Sequence, residues 1–262
     1  MEYLPEDCFA HILSFTSPLD VCRTSLISSV VKSMADSDTV WAKFLPHNYQ
    51  QIVSRLVGPS FPCSTEKELF FRLCKPQPID DGNKKQMFSV EKTTGKICYS
   101  LSARQLSISY GNNHLYWSWK HVQGSRFTEA AELRTICWLE IKGSINTEIL
   151  SPKTIYGAYL KIKIVDRAYG LDTLPSEVSI EFGNYKSQRN VYICKTNGKV
   201  SCNCYSVQKH YGDDEWLEIE LGSFYTESVQ ELRLCLKEVK GVHLKGGLIV
   251  DGIELRPKAC GL

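Results

Sequence analysis

The spacing of apolar residues changes part-way along the chain, and this change limits the fold more than any other feature. Over residues 1–75 apolar side chains recur at intervals of three and four positions, as at Phe9, Ile12 and Leu13, a spacing typical of amphipathic helices. Beyond residue 100 apolar and polar side chains alternate, as along 159–164, which is typical of strands with one buried face. The sequence therefore predicts an α+β fold, with short N-terminal helices followed by an antiparallel β-sandwich.

The helical region carries several start and stop signals. Acidic residues follow Pro5, which favours a helix start, and a break at Ser17-Pro18 separates the next helix, which opens at Leu19. The segment DSDTVWAKFLP, residues 36–46, begins with Asp and Ser residues that cap helices. Two more helical segments and a polar boundary are predicted at 48–57, 65–74 and 75–85.

Further alternating runs predict the strands of the sandwich, and turn-forming dipeptides separate them. Ser151-Pro152 and Asn197-Gly198 are typical turn sequences. The apolar positions of these runs are Val178, Ile180, Phe182, Leu217, Ile219, Leu221, Leu232, Leu234 and Leu236.

Composition argues against several classes of protein. The formal net charge is only +2 over 262 residues, which argues against nucleic acid as a partner. No apolar run reaches the roughly 18 residues that a membrane helix needs, so membrane insertion is not expected. The N-terminal sequence has acidic residues where a secretory signal has basic ones, which argues against export by that route.

The eleven cysteines are odd in number and scattered, so we interpret them as reduced thiols. Cys202 and Cys204 form the nearest approach to a metal-binding pair, but no second pair stands at ligand spacing. Neither a metal nor another cofactor is therefore predicted. Reduced thiols and the lack of an export signal predict a protein of the nucleus and cytoplasm.

The sequence carries no recognisable catalytic motif. A glycosidase needs two carboxyl groups facing one bond. No second feature selects a pair from the candidate acids, which are Glu231, Glu238, Asp213, Asp214 and Glu215. Motifs for a nucleophilic serine, a zinc protease or a phosphate-binding loop are also missing, so the sequence predicts a protein that is not an enzyme.

The N-terminal segment contains Leu4-Pro5, then SPLD at 17–20, then VW before FLP at 40–46. This order resembles the F-box, a helical module that implies docking on an SKP-type adaptor and through it on a cullin. Such docking needs apolar anchors on a helical surface and no catalytic group. The candidate adaptor contacts are Leu4, Pro5, Ile12, Leu13, Leu19 and Trp41.

Several stretches of the C-terminal region resemble, in order, the phloem lectin family, also called Nictaba-like lectins. They include TGKICYSLSAR at 94–104, LSISYGNNHLYWSW at 106–119 and LKEVKGVHLKGGLIVDGIELRPK at 236–258. The resemblance implies a jelly-roll β-sandwich that binds oligosaccharides, in particular N-acetylglucosamine-containing chains or N-glycan cores. An F-box joined to a phloem lectin is a plant arrangement. We therefore assign 1–46 to the F-box, 47–87 to a helical connector and 88–262 to the sandwich.

The segment YGNNHLYWSWK, residues 110–120, holds four aromatic residues. Sugar recognition needs an aromatic plate with polar groups at its rim. The family resemblance implies carbohydrate contacts at Tyr110, where the family usually has Trp, and at Trp117, with Trp119 as a further candidate. Strict alternation along 106–110 instead points Tyr110 towards the core. We expect Trp117 to be the platform and Tyr116 to be a packing residue.

Two acidic residues complete the site that the resemblance implies. The best matches are Glu231 and Glu238, which would accept hydrogen bonds from sugar hydroxyls. The two positions are seven residues apart, so their side chains point to opposite faces of a regular strand. Both can serve one site only if a bulge near Lys237 shifts the alternation. Trp138 is out of phase with the apolar Leu139, and we expect a loop to cover it.

These observations lead to one hypothesis and one alternative. The first is a non-catalytic receptor subunit of an SCF ubiquitin ligase that binds glycans or glycoproteins and directs them to ubiquitination. The alternative keeps the F-box but lets the sandwich bind an unglycosylated protein through the same loops, with no lectin activity.

Overall fold

Two units make up the chain, and each buries its own apolar side chains. The computed structural model describes residues 5–57, 63–80, 85–194, 207–209 and 216–258. The first unit comprises Met1–Gly82 and Met87–Cys98, and the second comprises Asn83–Gln86 and Tyr99–Leu262. The following predicted features lie outside the described residues: Leu4, the turn at Asn197-Gly198, the pair Cys202 and Cys204, and the acids Asp213, Asp214 and Glu215.

Short α-helices dominate the described part of the first unit, as the spacing of apolar residues predicts. They are α1 (Glu6–Leu13), α2 (Pro18–Thr24), α3 (Ser29–Ala35), α4 (Asp38–Trp41), α5 (Tyr49–Arg55) and α6 (Glu66–Leu73). Two strands, β1 (Gln77–Pro78) and β2 (Gln86–Val90), then pair in antiparallel fashion, with Pro78 opposite Met87.

Hydroxyl side chains cap four of these helices, which explains where the helices begin. A side-chain oxygen accepts a hydrogen bond from a free backbone N–H in the first turn. The accepting side chains and the residues whose backbone N–H groups donate are Ser17 and Asp20, Ser28 and Val31, Ser37 and Thr39, and Thr65 and Glu68. The helix start predicted within 36–46 is thus formed by Ser37.

Trp41 is the central side chain of the first unit. Its ring centroid lies 5.2 Å from that of Phe70, 5.3 Å from that of Phe71 and 5.7 Å from that of Phe44. Its indole N–H donates to the carbonyl of Ala35 at 2.8 Å, which satisfies the polar atom inside the core. One aromatic cluster therefore joins the end of α4 to α6.

The second unit is a sandwich of two antiparallel sheets. Its strands are β3 (Ile97–Ser102), β4 (Ser107–Ile108), β5 (Trp117–Lys120), β6 (Ala130–Leu133), β7 (Leu139–Asn146), β8 (Ile155–Tyr169), β9 (Ser176–Phe182), β10 (Tyr185–Val191), β11 (Val207–Lys209), β12 (Leu217–Tyr225), β13 (Glu231–Glu238) and β14 (Gly246–Pro257). One sheet has the order β3-β14-β8-β12-β11, with the β5–β6 hairpin joined to β14. The other has the order β10-β9-β13-β7-β4.

The core of the sandwich lies between the two sheets, where their apolar faces meet. Val178, Ile180 and Leu234 are buried there, as the alternating pattern predicts. The sheets approach so closely at Gly143 that a Cβ atom there would lie 2.9 Å from the side chain of Ile253 on the opposite sheet. The predicted α+β fold, with helices followed by an antiparallel sandwich, is confirmed.

The larger sheet differs from the prediction that each strand has one polar face. Part of its outer face is buried, because Trp216 and Ile249 form a small apolar cluster with Ala130 of β6, and Val122 packs against it. The ammonium group of Lys161 lies 4.9 Å from the centroid of the Trp216 ring. The smaller sheet keeps a polar outer face, with alternating burial along β7, β9 and β13.

Replacement of Gly143 by alanine should destabilise the sandwich. The added methyl group would press on Ile253 and Leu106, and overpacking of a tight core costs about 1–3 kcal/mol. Urea unfolding followed by tryptophan fluorescence measures the effect, since four of the five tryptophans belong to the second unit. Ser144→Ala, on the outward side of the same strand, is the control, and equal stability of the two variants would contradict the packing argument.

Candidate functional site

The two tryptophans of β5 hold the loop that precedes them. The indole N–H of Trp117 donates to the carbonyl of Ser109 at 3.0 Å, and that of Trp119 donates to the carbonyl of Gly111 at 2.9 Å. Tyr110 lies between these two acceptors and has a φ of 57°, in the left-handed region. The two indoles therefore fix the backbone on both sides of Tyr110.

The prediction that Trp117 is the exposed platform is wrong. Its side chain is only 1% exposed, because it is packed in the core and its N–H is turned towards Ser109. Trp119 is half-buried, and the guanidinium of Arg104 lies 3.7 Å from its ring centroid. Arg104 also pairs with Glu129 at 2.8 Å. One face of Trp119 is thus occupied by a cation, and neither tryptophan offers an open plate.

Tyr110 is the exposed aromatic residue of the segment. Its side chain is 61% exposed, so the alternation that pointed it towards the core does not hold. The physical reason is that β4 ends at Ile108 and the chain turns at Tyr110. The half-buried Tyr116 packs beside it, with ring centroids 5.3 Å apart.

Trp138 lies at the same end of the sandwich as Tyr110 and is 49% exposed, so the expected loop cover is not present. The register of β4 on β7 explains the placement, since Ile108 is opposite Ile141 and the next residue bonds to the carbonyl of Glu140. We call Tyr110, Tyr116 and Trp138 the loop-end surface. The sequence carried a signal for Trp138, because it shares strand parity with the polar Glu140.

Glu238 lies at this end too, opposite Leu139 of β7, but its carboxylate is buried. It pairs with the ammonium of Lys245 at 2.5 Å and accepts from the backbone N–H of Gly241 at 2.8 Å. Burial opposes its ionisation, but the hydrogen bonds from Lys245 and Gly241 and the charges of Lys245 and His243 hold its pKa below the ordinary value. Glu238 is thus an internal anion, which corrects its assignment as an acceptor at the rim of a sugar site.

Lys245 connects this ion pair to the loop-end surface. It is only 1% exposed, and its ammonium also donates to the carbonyl of Cys137, the residue before Trp138, at 2.5 Å. Its backbone forms an antiparallel bridge with Ile136. The pair Glu238–Lys245 therefore positions the segment that presents Trp138.

Glu231 lies at the opposite end of β13, so the two acids do not share a site. The register with β7 runs without a bulge from Glu231, opposite Asn146, to Glu238, which places the acids about 24 Å apart. Glu231 accepts from the hydroxyl of Ser144 at 2.6 Å and pairs with Arg233 at 2.7 Å. These hydrogen bonds and the charge of Arg233 lower its pKa.

The first unit presents a second candidate surface. Among the predicted adaptor contacts, Pro5, Ile12 and Leu19 are exposed, whereas Leu13 and Trp41 are buried in the unit. Leu13 and Trp41 therefore do not contact an adaptor directly, which corrects their assignment. Both pack in the core of the unit, beneath the exposed residues. We call the exposed apolar side chains of this region the apolar helical surface, which consists of Ile12, Phe15, Leu19, Leu26, Ile27 and Val30.

Comparison with known proteins identifies both parts of the chain. The family model "F-box domain" matches residues 1–43, and the family model "PP2: Phloem protein 2" matches residues 96–257. The chain belongs to the phloem protein 2 family. "F-box protein PP2-B15" of Arabidopsis thaliana is 44% identical over 280 aligned positions, covering 97% of this chain and 96% of the relative. "F-box protein VBF" of the same plant is 41% identical, covering 98% and 100%.

Solved structures are less similar to this phloem protein 2 chain. The CBM22-1 xylan-binding domain of Paenibacillus barcinonensis Xyn10C is 15% identical and has a TM-score of 0.30, covering 62% of this chain and 87% of its own. A GH26-CBM35 β-(1,4)-mannanase of Podospora anserina is 10% identical, with a TM-score of 0.37, covering 63% and 28%. Likeness at this level is too weak to support an argument about binding.

The family matches and the two surfaces coincide in sequence. The apolar helical surface lies within the F-box match, and the loop-end surface lies within the phloem protein 2 match. Within the described ranges, no group of three or more His, Cys, Asp or Glu residues could hold a metal ion. No helix in the described part of the chain is long and apolar enough to cross a membrane.

Replacement of Glu238 by glutamine should destabilise the phloem protein 2 domain, because it leaves the charge of Lys245 buried without its partner. The expected loss is about 3 kcal/mol at neutral pH. Because the folded-state pKa of Glu238 is lowered, its contribution is complete above the unfolded-state pKa of about 4.3 and is lost as the pH falls through the folded-state value.

The measurement is urea unfolding of the parent and the variant between neutral and acidic pH. The double variant Glu238→Gln, Lys245→Met removes both charges and should recover most of the stability. If the single variant were as stable as the parent at neutral pH, the internal ion pair would be refuted.

Proposed function

We propose that this F-box protein is the substrate-recognition subunit of an SCF-type ubiquitin ligase in the nucleus and cytoplasm. In this proposal the apolar helical surface docks on an SKP-type adaptor and so on a cullin. The loop-end surface binds N-acetylglucosamine-containing chains or N-glycan cores on target proteins. The observation that carries the proposal is that each family-matched part exposes the side chains that such a partner requires.

The apolar helical surface supports the adaptor contact. Phe15 is 77% exposed and Leu26 is 85% exposed, although both are large apolar side chains. Exposed apolar residues gathered in one short region are typical of protein interfaces, since water contact costs free energy that a partner removes. Phe15 and Leu26 lie in the turns that follow α1 and α2, on a unit whose own core contains Trp41.

The loop-end surface supports glycan binding. The exposed rings of Tyr110 and Trp138 offer flat apolar faces, which match the C–H face of a pyranose. A shallow cavity of about 590 Å³ adjoins Tyr110 and is lined by Asn112, Asn113 and His114, whose polar groups suit sugar hydroxyls. Tyr110 is held in place by the two indole bonds, so little ordering is required on binding.

The proposal assigns no catalytic role to the chain itself. Among the described residues, the loop-end surface has no exposed pair of carboxylates, since Glu238 is buried against Lys245 and Glu231 lies at the other end of β13. In this proposal the partner subunits transfer ubiquitin, and the chain supplies recognition and proximity.

A second candidate function is recognition of an unglycosylated protein through the same loops. The observation that favours it is the exposed aliphatic residues Leu115, Val242 and Leu244 near the loop-end surface. Leu244 adjoins Lys245, which bonds to the segment before Trp138. Aliphatic side chains suit a polypeptide better than a sugar.

Disruption of the apolar helical surface should abolish adaptor binding. The double variant Ile12→Asp, Phe15→Asp places two charges among apolar contacts, where an unpaired buried charge is strongly unfavourable. Co-purification with an SKP-type adaptor measures the effect. Val229→Asp, at an exposed apolar position in the second unit, should retain the adaptor. A parent chain that fails to co-purify with any such adaptor would refute the SCF role.

Removal of the Trp138 ring should weaken glycan binding. Covering about 60 Å² of this ring at about 25 cal/mol/Å² contributes about 1.5 kcal/mol, so Trp138→Ala should raise Kd about tenfold. Calorimetric titration of the full chain with chitotriose and with an N-glycan core measures the affinity. Tyr225→Ala, at a comparably exposed tyrosine that pairs with Ile155, should bind normally.

The same titration separates the two candidate functions. Glycan binding that weakens in Trp138→Ala but not in Tyr225→Ala supports the lectin activity. If the parent chain bound neither glycan at millimolar concentration, the lectin activity would be excluded. The second candidate, recognition of an unglycosylated protein, would then take its place.

A further inference from the structure

The outer face of the smaller sheet carries a polar trench that crosses all five strands. We call it the sheet trench, and it encloses about 470 Å³. The strand registers place one residue from each strand in a continuous row along its floor. From one edge of the sheet to the other, this row is Gln188, Ser179, Cys235, Lys142 and Ser107.

The middle of the trench is open because the side chains of Ser179 and Cys235 are short and that of Lys142 is turned aside. Ser179 and Cys235 are small, and they occupy two adjacent positions of the row. The side chain of Lys142 reaches along its own strand to Glu140, with an N–O distance of 2.9 Å. Neighbouring strands lie about 4.8 Å apart, so the row spans about 19 Å, the length of roughly four pyranose units.

Longer charged side chains form a wall on each side of the floor. One wall runs through Lys186, Glu181, Arg233 and Ser144, which are opposite one another on successive strands. The other wall runs through Glu177, Lys237 and Glu140. The trench is therefore a strip with two serines and a cysteine on its floor, between two rows of mostly charged side chains.

Every basic side chain that lines the trench is already paired with a carboxylate. Lys142 pairs with Glu140, Lys186 with Glu181, Arg233 with Glu231 and Lys237 with Glu177, at distances of 2.5–2.9 Å. Among the residues that the structure describes, the trench thus has no unpaired base to attract an anionic ligand. These pairs are partly exposed, and exposed pairs contribute little to folding, so their arrangement is not explained by stability.

The composition of the trench also disfavours a protein partner. Protein interfaces have aromatic or aliphatic anchors at their centre and few charges there. The residues that line the trench include one large apolar residue, Leu234, and its side chain faces the core. Charges surround the centre instead, and serines and a thiol occupy it.

We propose that the sheet trench binds a linear, uncharged oligosaccharide along the floor row. Neighbouring hydroxyls of a sugar both donate and accept hydrogen bonds, so one pair of hydroxyls bridges the ammonium and the carboxylate of an ion pair. Ion pairs such as Lys237–Glu177 and Lys186–Glu181 on the two walls therefore match the two sides of a sugar chain. Ser179 and Ser107 add hydroxyl groups along the floor.

This site is separate from the loop-end surface and does not rest on the proposed function. None of Tyr110, Tyr116 and Trp138 lines the trench. The two sites also differ in chemistry, because the loop-end surface offers rings and the trench offers paired charges. A sugar chain in the trench is held by hydrogen bonds along its length, so affinity should rise with chain length up to the span of the sheet.

Two native cysteines report which site is occupied. Cys235 lies on the floor of the trench, and the exposed Cys137 precedes Trp138 at the loop-end surface. Burial, with the charge of Glu140, raises the pKa of Cys235, so alkylation of both thiols is followed at mildly alkaline pH. Peptide mass spectrometry gives the labelling rate of each cysteine with and without sugar.

The test uses the full chain with xylohexaose, mannohexaose, cellohexaose and chitohexaose as probes. At least one of them should slow the labelling of Cys235 and bind in calorimetric titration. Ser179→Arg places a bulky group on the floor and should weaken that binding at least about tenfold. Ser107→Arg, on the edge strand, tests the same row if the first variant fails to fold.

Ser228→Arg, the same change at an exposed serine outside the trench, is the control and should bind like the parent. Protection of Cys137 alone, or equal affinity of Ser179→Arg, Ser107→Arg and the control, would overturn the trench site and leave the loop-end proposal intact. Lack of binding of all four probes at millimolar concentration would overturn it as well. Binding that falls steeply with salt would also overturn it, because it indicates an ionic ligand.

Discussion

The buried ion pair between Glu238 and Lys245 is the contact on which one end of the sandwich depends. It joins the end of β13 to the start of β14, and Lys245 extends the contact to the carbonyl of Cys137. A buried charge is tolerated only with its partner in place, so these three segments have one relative arrangement. Trp138 follows Cys137 directly. The placement of this exposed ring therefore depends on internal electrostatics as well as on the strand parity of its own segment.

The sandwich itself was predictable from the sequence, because alternation is a physical consequence of the pleat. Alternation correctly predicted that Val178, Ile180 and Leu234 are buried. It also correctly predicted that Glu231 and Glu238 do not lie on the same face of a regular strand. The same rule failed at Tyr110, because parity holds only while the strand continues and the chain leaves β4 after Ile108. Alternation could not have given the positive φ of Tyr110, which is held by the indole groups of Trp117 and Trp119, seven and nine residues further on. Long-range hydrogen bonds of this kind leave no periodic trace in a sequence.

The helical unit shows a related limit. The apolar spacing located the helices, and a predicted cap located the start of α4 at Ser37, but spacing did not tell core residues from surface residues. Leu13 and Ile12 are neighbours in α1, yet the first is buried and the second is exposed. A helix of seven or eight residues makes about two turns, so its apolar stripe is too short to define one buried face. Trp41 was the clearest apolar signal in this region, and its indole lies in the core, where it bonds to Ala35.

The two sheets have different outer faces, and this difference decides where ligands can bind. Trp216 and Ile249 are covered on the larger sheet, so part of that face is committed to packing. The outer face of the smaller sheet keeps its charged and hydroxyl side chains in water, and its basic groups are neutralised by neighbours on the same face. A face of this kind contributes little to folding, which leaves its residues free to be selected for a ligand. The loop-end surface presents the exposed rings of Tyr110 and Trp138, and the trench presents paired charges around small polar residues, so one sandwich offers two surfaces of different chemistry.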